Sequence, residues 1–348
     1  MKKIILHMDM DCFFAQIEMR ENPRFKDKPV VVGADPKKGQ GRGVVSTANY
    51  KAREYGINSA TPISTAYKKC PDAVFVPVNL EYYKKVSQNI LEIIKKYSDQ
   101  YEPLSIDENY LDISFVSDYK KAKEIGKKLK KEILEKERLT TSVGIGPNKM
   151  LAKIASEEEK PDGLFVIKPK EVESFLKDKS IRIIPGIGPK TAQKLKQKFK
   201  LEKVGELKKI KKKELIELLG SRGEDIYKRA RGIDNSPVKK EREIKSIGRE
   251  NTFKENTREP EIILNTFNEL IEEVYKNLKK EGLYFETVTV VCRVQNFQTY
   301  TRSHTINKPS NELETLRSES KKLLLKFLTQ NLKPLRLIGV RVKVVEDD

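Results

Sequence analysis

The pattern of strand-like and helix-like runs changes twice along the chain, and no other feature limits the fold as strongly. The two kinds of run alternate up to about residue 167, the strand-like runs disappear over 168–232, and both kinds return after residue 246. A length of 348 residues also exceeds what one ordinary core accommodates. The sequence therefore predicts a multidomain fold in which α/β or α+β domains flank a helical segment.

Strands and helices can be placed within the two mixed regions. Residues 3–10, the runs KPVVVGA, VVSTA, AVFVPV and TTSVGIG, and a hairpin over EPLSIDENYLDIS are typical of strands. Helices are predicted for FFAQIEMRENP, NYKAREYG, PISTAYKKCP and residues 80–98 and 119–136. After residue 246, strand-like runs and two helices at 260–280 and 311–330 predict a small sheet backed by two helices.

Basic charge is concentrated in one part of the chain. The net charge is +19, and residues 168–245 alone contain 24 Lys and Arg against 12 Asp and Glu. A solubilising role does not explain this concentration, whereas binding to a polyanion such as nucleic acid does. Residues 234–245 are polar, charged and contain a proline, which predicts a basic linker between domains.

Cysteine and histidine are too rare to build a metal site or a disulfide framework. The chain has three scattered cysteines and two histidines. A metal would therefore be bound by carboxylates, which favours Mg²⁺ or Mn²⁺. The first residues are typical of a strand and not of a signal peptide, and no apolar run approaches about 18 residues. We expect a soluble, cytoplasmic protein.

The run PGIGPKTAQKL, residues 185–195, predicts a helix-hairpin-helix. Gly186 and Gly188 allow the backbone to approach a ligand closely, and the free N–H groups at the start of the next helix can bind a phosphate without reading bases. Lys190 lies in the first turn of that helix, where it is unfavourable unless an anion is near. A plain glycine turn is the alternative. Residues 217–234 predict a second, looser turn of this kind.

The run GQGRG, residues 39–43, superficially resembles a nucleotide-binding loop. The run is followed neither by the Lys-Ser or Lys-Thr pair of a P-loop nor by the helix of a dinucleotide-binding loop. We interpret it as a flexible hairpin loop, so the sequence contains no purely local triphosphate motif.

Two acidic sites follow apolar, strand-like runs. Asp9 and Asp11 lie at the end of the first strand, and Asp107 and Glu108 lie in the predicted hairpin. Each alone could be a cap or a turn, but neighbouring strands would bring the two sites together, and clustered carboxylates need a cation. Two divalent ions there would suit phosphoryl transfer. Alternation along a strand would place Asp107 and Glu108 on opposite faces, so the pattern leaves open whether they are solvated charges near the hairpin tip or two ligands of one metal centre.

At these residues the chain resembles the Y-family, lesion-bypass DNA polymerases of the DinB or DNA polymerase IV type. The resemblance covers about residues 4–345 and rests on six motifs in order: DMDCFFAQIE, VVSTANYKAREYGI, SIDENYLDIS, TTSVGIGPNKMLAKIASEEEKPDG, IPGIGPKTAQKL and KSIGRENTF. It implies a template-directed, error-prone DNA polymerase that extends primers from dNTPs, bypasses lesions, releases pyrophosphate and has no proofreading exonuclease. The expected partners are primer-template DNA and an incoming dNTP, and the expected state is a monomer.

The resemblance also implies roles for individual residues. Asp9, Asp107 and Glu108 would be catalytic and, with the carbonyl of Met10, would bind two Mg²⁺ ions, for which Mn²⁺ could substitute. Both hairpin carboxylates would then have to reach toward Asp9, so a bend is expected at Asp107, and Asp112 would be structural. Phe14 would be a steric gate that excludes the ribose 2′-hydroxyl. The implied nucleotide-binding residues are Cys12, Phe13, Phe14, Thr47, Tyr50, Arg53 and Lys160. The implied DNA-binding residues are Gly186, Gly188, Lys190, Ser246, Arg249 and Arg341.

The implied architecture is that of a right-hand polymerase. Its parts would be a palm (1–10 and 78–167), fingers (11–77), a thumb with the helix-hairpin-helix (168–233), the basic linker (234–245) and an α+β little finger (246–348).

Three features depart from the family pattern or leave it incomplete. Asn109 occupies a position where a small residue is expected and should perturb local hydrogen bonding. The printed sequence ends without a glutamine-and-aromatic clamp-binding tail, which leaves a sliding-clamp partner open, and no extra acidic cluster for an exonuclease is seen. Two other classes remain as alternatives: a non-catalytic helix-hairpin-helix DNA-binding protein and a nucleotidyl cyclase.

Overall fold

The computed structural model describes residues 3–116, 118–240 and 243–346. The chain forms two compact units, Met1–Glu241 and Arg242–Asp348. Among the helices in the described ranges, none is both long and apolar enough to cross a membrane.

The first unit contains eight of the described strands and eleven α-helices. In chain order they are β1 (Ile5–Met10), α1 (Phe13–Glu21), β2 (Val30–Gly33), β3 (Val45–Ala48), α2 (Tyr50–Glu54), α3 (Ile63–Lys69), β4 (Val74–Val76), α4 (Leu80–Ile94), β5 (Tyr101–Pro103), β6 (Glu108–Asp112), α5 (Tyr119–Glu137), β7 (Thr141–Gly146), α6 (Lys149–Glu158), β8 (Leu164–Val166), α7 (Val172–Lys177), α8 (Pro189–Phe199), α9 (Val204–Leu207), α10 (Lys212–Leu219) and α11 (Arg222–Arg229).

A five-stranded sheet forms the centre of this unit, with strand order β5-β6-β1-β7-β8. Strand β1 is its middle strand, and all six of its residues are buried. The side chains of Leu6, Met8 and Met10 share an apolar core with residues of α4 and α5. The alternate residues His7 and Asp9 lie on the face that carries α6, because successive strand residues point to opposite faces. The continuous apolar run of β1 therefore reflects burial on both faces.

A smaller three-stranded sheet, in the order β3-β2-β4, forms a second layer with α2 and α3. Asn49 joins this layer together. Its side-chain oxygen accepts hydrogen bonds from the backbone N–H of Ala52, at 3.0 Å, and of Val30, at 2.9 Å. An asparagine at the N-cap satisfies a donor at the start of α2 and fixes the direction in which that helix leaves the sheet.

The helical segment from α7 to α11 packs around an apolar core that also includes Met150 and Ile154 of α6. Gly186 has a φ of +94°, which favours glycine, and Gly188 is the N-cap of α8. The element before this turn is a short 3-10 helix, Ile181–Ile183, and not an α-helix. Helices α10 and α11 form the second predicted turn around Gly220, with a φ of +66°. The absence of strands from this segment is confirmed within its described residues, apart from one isolated bridge.

The segment 234–240, predicted as part of a linker, packs against the central sheet. Val238 contacts the apolar cluster that includes Ile5 and Tyr110. The backbone N–H of Lys239 donates to Oε2 of the buried Glu102 at 3.0 Å. This half of the predicted linker is therefore fixed to its own unit.

The second unit consists of β9 (Ser246–Thr257), α12 (Pro260–Lys280), β10 (Tyr284–Val294), β11 (Thr299–Ser310), α13 (Leu313–Gln330) and β12 (Leu335–Val345). The strands form one antiparallel sheet in the order β11-β10-β12-β9. Its apolar face packs on α12 and α13. The basic residues Arg341 and Lys343 are exposed and alternate with the buried Val340 and Val342. The predicted sheet backed by two helices is confirmed.

Candidate functional site

The two acidic sites of the sequence meet at one edge of the central sheet. Strands β1 and β6 are antiparallel neighbours, and Asp9 lies opposite Glu108 in their register. The carboxyl groups of these two residues are within hydrogen-bonding reach of each other. Strand β6 begins where β1 ends, so the acids meet at the end of one strand and the start of the next.

Two lysines neutralise this carboxyl pair. The Nζ atom of Lys160 lies 2.8 Å from Oδ2 of Asp9, and that of Lys153 lies 2.6 Å from Oε2 of Glu108. Burial raises the pKa of Asp9 to about 8, although Lys160 acts in the opposite direction. Burial also acts to raise the pKa of Glu108, but hydrogen bonds from Lys153 and Asp9 hold it below its usual value. Burial and the neighbouring carboxyl group therefore disfavour the charged form of Asp9, while the lysines favour it.

Asp107 occupies the bend that the alternation argument required. It precedes β6, and its carbonyl oxygen accepts a hydrogen bond of 3.0 Å from the backbone N–H of Met10. Its carboxylate, however, accepts a hydrogen bond from the hydroxyl of Ser105. The hairpin therefore brings the backbone of Asp107 to the end of β1, while its side chain contacts its own turn.

The donor set at this edge suits a hard divalent cation. The carboxyl groups of Asp9 and Glu108 face each other, and their oxygen atoms are the type of ligand that Mg²⁺ and Mn²⁺ prefer. Within the described ranges, no three His, Cys, Asp or Glu side chains are already grouped as a metal site. The hydrogen bond from Ser105 occupies one oxygen of the Asp107 carboxylate.

The start of α1 lies beside the carboxyl pair. Cys12 adopts the left-handed conformation, with a φ of 38°, and the helix has no side-chain cap there. Burial raises the pKa of the Cys12 thiol to about 12, while Arg53 and Lys160 are close enough to act on it in the opposite direction. Cys12 is therefore not a thiolate nucleophile, and two cations surround a helix N-terminus, an arrangement that favours anions.

Tyr50 and Arg53 lie on α2, directed by the Asn49 cap. The Arg53 guanidinium lies 4.6 Å from the centre of the Tyr50 ring, and its Nε donates to the carbonyl of Ala48 at 3.0 Å. Thr47 is half-buried in β3, opposite Val32. Tyr50 and Arg53 thus approach the turn at Cys12 from the layer formed by the three-stranded sheet and α2.

Phe14 lies on α1, one residue beyond the buried Phe13. Its ring stacks on Tyr83 of α4, with centroids 4.4 Å apart and an interplanar angle of 21°. The hydroxyl of Tyr83 donates to Glu18 at 2.7 Å, so the stacking partner is itself fixed. Phe14 remains half-buried, with a defined orientation.

Sequence reasoning missed the contribution of α6. His7 is fully buried; its Nδ1 lies 2.8 Å from Oγ of Ser156, and its Nε2 lies 3.9 Å from Oε2 of Glu108. Lys153 lies on the same helix. The run NKMLAKIASEEE contained the signal, because Asn148 caps a helix whose Met150, Leu151, Ile154 and Ala155 have helical spacing.

The residues predicted to bind DNA are divided between the two units. Gly186, Gly188 and Lys190 lie at the turn before α8 and in its first turn, and a side chain at Gly188 would meet open space. Ser246 begins β9. Arg249 pairs with Glu273 at 3.3 Å, and Arg341 lies 3.6 Å from Glu250.

Comparisons with known proteins agree along the whole chain. Residues 8–157 match the impB/mucB/samB family, residues 244–348 match its C-terminal domain, and residues 182–234 match the thumb domain of DNA polymerase iota. The chain is 44% identical over 344 residues to DNA polymerase IV of Methanoculleus marisnigri, covering 99% of this chain and 95% of that protein. DNA polymerase IV of Streptococcus mutans is 40% identical, with 99% and 92% covered.

Solved structures give the same result. A Y-family DNA polymerase chimera of Dbh and Dpo4 superposes with a TM-score of 0.90 at 32% identity, covering 99% of this chain and 100% of that one. An insertion ternary complex of Dbh DNA polymerase gives 0.69 at 32% identity, with 99% and 100% covered.

The fold and these relatives together define a DNA-directed DNA polymerase. The chain belongs to the Y family of translesion DNA polymerases, in the branch whose curated members are named DNA polymerase IV. The predicted fold class, with a helix-hairpin-helix thumb and a C-terminal little finger, is confirmed.

Proposed function

We propose that this polymerase extends a primer on a template strand by nucleotidyl transfer from dNTPs with two bound Mg²⁺ ions, releasing pyrophosphate. The observation that carries the proposal is the contact between the buried Asp9 and the half-buried Glu108, a carboxyl pair next to a helix N-terminus with two cations. Such a pair favours divalent cations, and the cations beside it favour a polyphosphate.

Asp9, Asp107, Glu108 and the carbonyl of Met10 would hold the ions. When bound, the two ions would lower the pKa of a primer 3′-hydroxyl and would stabilise the leaving pyrophosphate. Mn²⁺ is a proposed substitute for Mg²⁺.

The residues around the carboxyl pair would orient the nucleotide. Lys160, Arg53 and Tyr50 would bind the triphosphate, with Thr47 beside them at the end of β3. The backbone N–H groups of Cys12 and Phe13 would donate to phosphate oxygens, because they lie at an uncapped helix start.

Phe14 would act as the steric gate. Its ring is held by the stack on Tyr83, so it cannot yield easily to a 2′-hydroxyl. A fixed aromatic ring at this position would select deoxyribonucleotides by shape.

The domain assignment is part of the proposal. The palm is assigned to 1–10 and 78–167, the fingers to 11–77, the thumb to 168–233, the linker to 234–245 and the little finger to 246–348. The two proposed DNA-binding sets, at the α8 turn and on β9 and β12, would contact backbone phosphates with little base specificity. We propose that the protein acts as a cytoplasmic monomer, and a binding assay with a sliding clamp tests that further partner.

Primer extension tests the proposal directly. We expect addition of single nucleotides to a primed template with Mg²⁺ and all four dNTPs, no addition with EDTA, and extension past an abasic site. Absence of a proofreading exonuclease predicts that a mismatched primer end is not shortened. DNA binding without metal-dependent extension would instead favour the non-catalytic DNA-binding class, and template-independent product would favour a cyclase-like enzyme.

A further inference from the structure

We propose that Asp11 is a positioning residue that holds two nucleotide-binding elements, the turn after Lys160 and helix α2, in one arrangement. The inference rests on the proposed role of Lys160 and Tyr50 in binding the triphosphate. Asp11 lies immediately after β1 and is 1% exposed. The proposed chemistry does not use its carboxylate.

The Asp11 carboxylate accepts hydrogen bonds from four groups on three parts of the chain. Its Oδ2 lies 2.8 Å from Oγ1 of Thr140 and 2.8 Å from the backbone nitrogen of Asp162. Its Oδ1 lies 2.7 Å from Oγ of Ser142 and 3.4 Å from the hydroxyl of Tyr50. The four donors come from the start of β7, the turn after Lys160 and the first residue of α2.

A carboxylate is the side chain that this position requires. An ionised aspartate is an acceptor only, with about four lone-pair sites, so it can satisfy all four donors. These donors are neutral hydroxyl and backbone groups, and hydrogen bonds to a charged acceptor are about twice as strong as neutral ones. An asparagine would keep the shape but lose the charge, and the amide nitrogen that replaces one oxygen could no longer accept from the donors bound there.

The anchored groups are next to the residues proposed to bind the triphosphate. Asp162 follows Lys160 by two residues, and Lys160 lies 2.8 Å from Asp9. Tyr50 supports the Arg53 guanidinium at 4.6 Å. Asp11 therefore ties the cation on the palm side to the aromatic-cation pair on the fingers side.

A second set of bonds fixes Asp11 itself. The amide of Gln16 on α1 donates to the carbonyl of Asp11 and, at 3.2 Å, to the carbonyl of Thr140. The backbone N–H of Thr140 donates back to Gln16 at 2.8 Å. These hydrogen bonds connect Asp11 to α1, the helix that carries Phe14. Loss of the Asp11 carboxylate would leave Lys160 and Tyr50 chemically intact but free to shift relative to each other.

Steady-state single-nucleotide insertion on saturating primer-template tests this role. We expect Asp11→Asn to raise the KM for dNTP by about tenfold or more, because misplacement of binding groups by about 1 Å has large effects, while kcat and DNA affinity change less. Asp112→Asn is the matched control. Asp112 accepts from the backbone and, like Asp11, from a serine hydroxyl, here Ser114, but it lies at the opposite end of β6. It should leave the KM unchanged.

Two further variants keep the test decisive. Ser142→Ala removes one donor to Asp11 and should raise the KM for dNTP about threefold. This variant provides the test if Asp11→Asn fails to fold. Lys160→Ala and Arg53→Ala report on the proposed nucleotide site itself, because neither side chain is hydrogen-bonded to Asp11. An unchanged KM in these two variants would overturn that assignment. A raised KM in them, with Asp11→Asn losing only thermal stability, would overturn the role of Asp11 alone.

Discussion

Lys160 pairs with Asp9 at 2.8 Å and with Glu157 at 2.7 Å, so one ammonium group connects the end of β1 to the end of α6. Burial acts to lower the pKa of Lys160, but the two carboxylates hold it above its usual value. Lys160 therefore stays charged beside the uncapped start of α1. A divalent cation on Asp9 would release this lysine toward a phosphate, which links metal and nucleotide binding at the proposed site.

Phe14→Ala is predicted to admit ribonucleotides. Removing the ring opens the space that it occupies against Tyr83, and discrimination based on shape is typically worth about 10- to 200-fold. Comparing the kcat/KM for dNTP and rNTP should show a loss of selectivity within that range. Tyr83→Phe, which keeps the stacked ring, should retain selectivity. Unchanged ribonucleotide exclusion in Phe14→Ala would rule out the gate assignment.

Asn109→Ala is predicted to stabilise the protein. The Oδ1 atom of Asn109 is buried and has no hydrogen-bond partner among the described residues, a situation that costs about 1–3 kcal/mol. Each kcal/mol recovered should raise the Tm by about 2–4 °C, which differential scanning calorimetry measures. Asn148→Ala is the opposing control, because Asn148 caps α6 and donates to the carbonyl of Gly232. A lower Tm for Asn109→Ala would show that its amide is needed.

Asp234 is predicted to make stability depend on pH in the acidic range. Burial acts to raise its pKa, but hydrogen bonds from Ser236 and from the backbone of Met150 lower the pKa below its usual value. A carboxyl group whose pKa is lower in the folded state stabilises the fold at pH values above its unfolded pKa of about 3.9. This stabilisation is lost as the pH falls through the folded-state pKa. The Tm difference between wild type and Asp234→Asn should therefore be largest near pH 7 and shrink below about pH 4. A difference that grows on acidification would contradict this sign.

Glu102→Ala is predicted to release the segment 234–240. Glu102 is 4% exposed, pairs with Lys149 at 2.6 Å and accepts from the backbone of Lys239. Leaving Lys149 without this partner costs about 3–5 kcal/mol. Limited trypsin digestion should then cleave after Lys239 or Lys240 much faster than in wild type. Glu124→Ala, which removes an exposed pair with Lys127, should not change the cleavage.

Local patterns predicted most of the fold. The helix predicted at 260–280 has those bounds, and the apolar runs became strands because they are buried on one or both faces of a sheet. The helix α6 was missed because its cap and apolar spacing lie inside a run that was treated as a motif. The fixing of 234–240 could not be predicted, since it depends on Glu102 and Lys149, far away in sequence.

The site was predictable in part for the same reason. The expectation that the two acidic strands are neighbours placed Asp9 near Glu108. Because side chains alternate along a strand, a bend at Asp107 was needed to bring both acids to one site. The roles of single residues came from the family resemblance and stay predictions. The cations on Asp9 and Glu108 depend on α6 and the turn after it, which local patterns did not locate.

Primer extension by Asp9→Asn and Glu108→Gln tests the central claim most directly. Both variants keep the shape of the side chain but remove the charge that a divalent cation requires. With wild-type DNA affinity and Mg²⁺ present, we predict that the rate of single-nucleotide addition falls by roughly 100- to 1,000-fold in each, while Asp112→Asn extends normally. Extension at the wild-type rate by either variant would contradict the assignment of the Asp9–Glu108 pair as the catalytic centre.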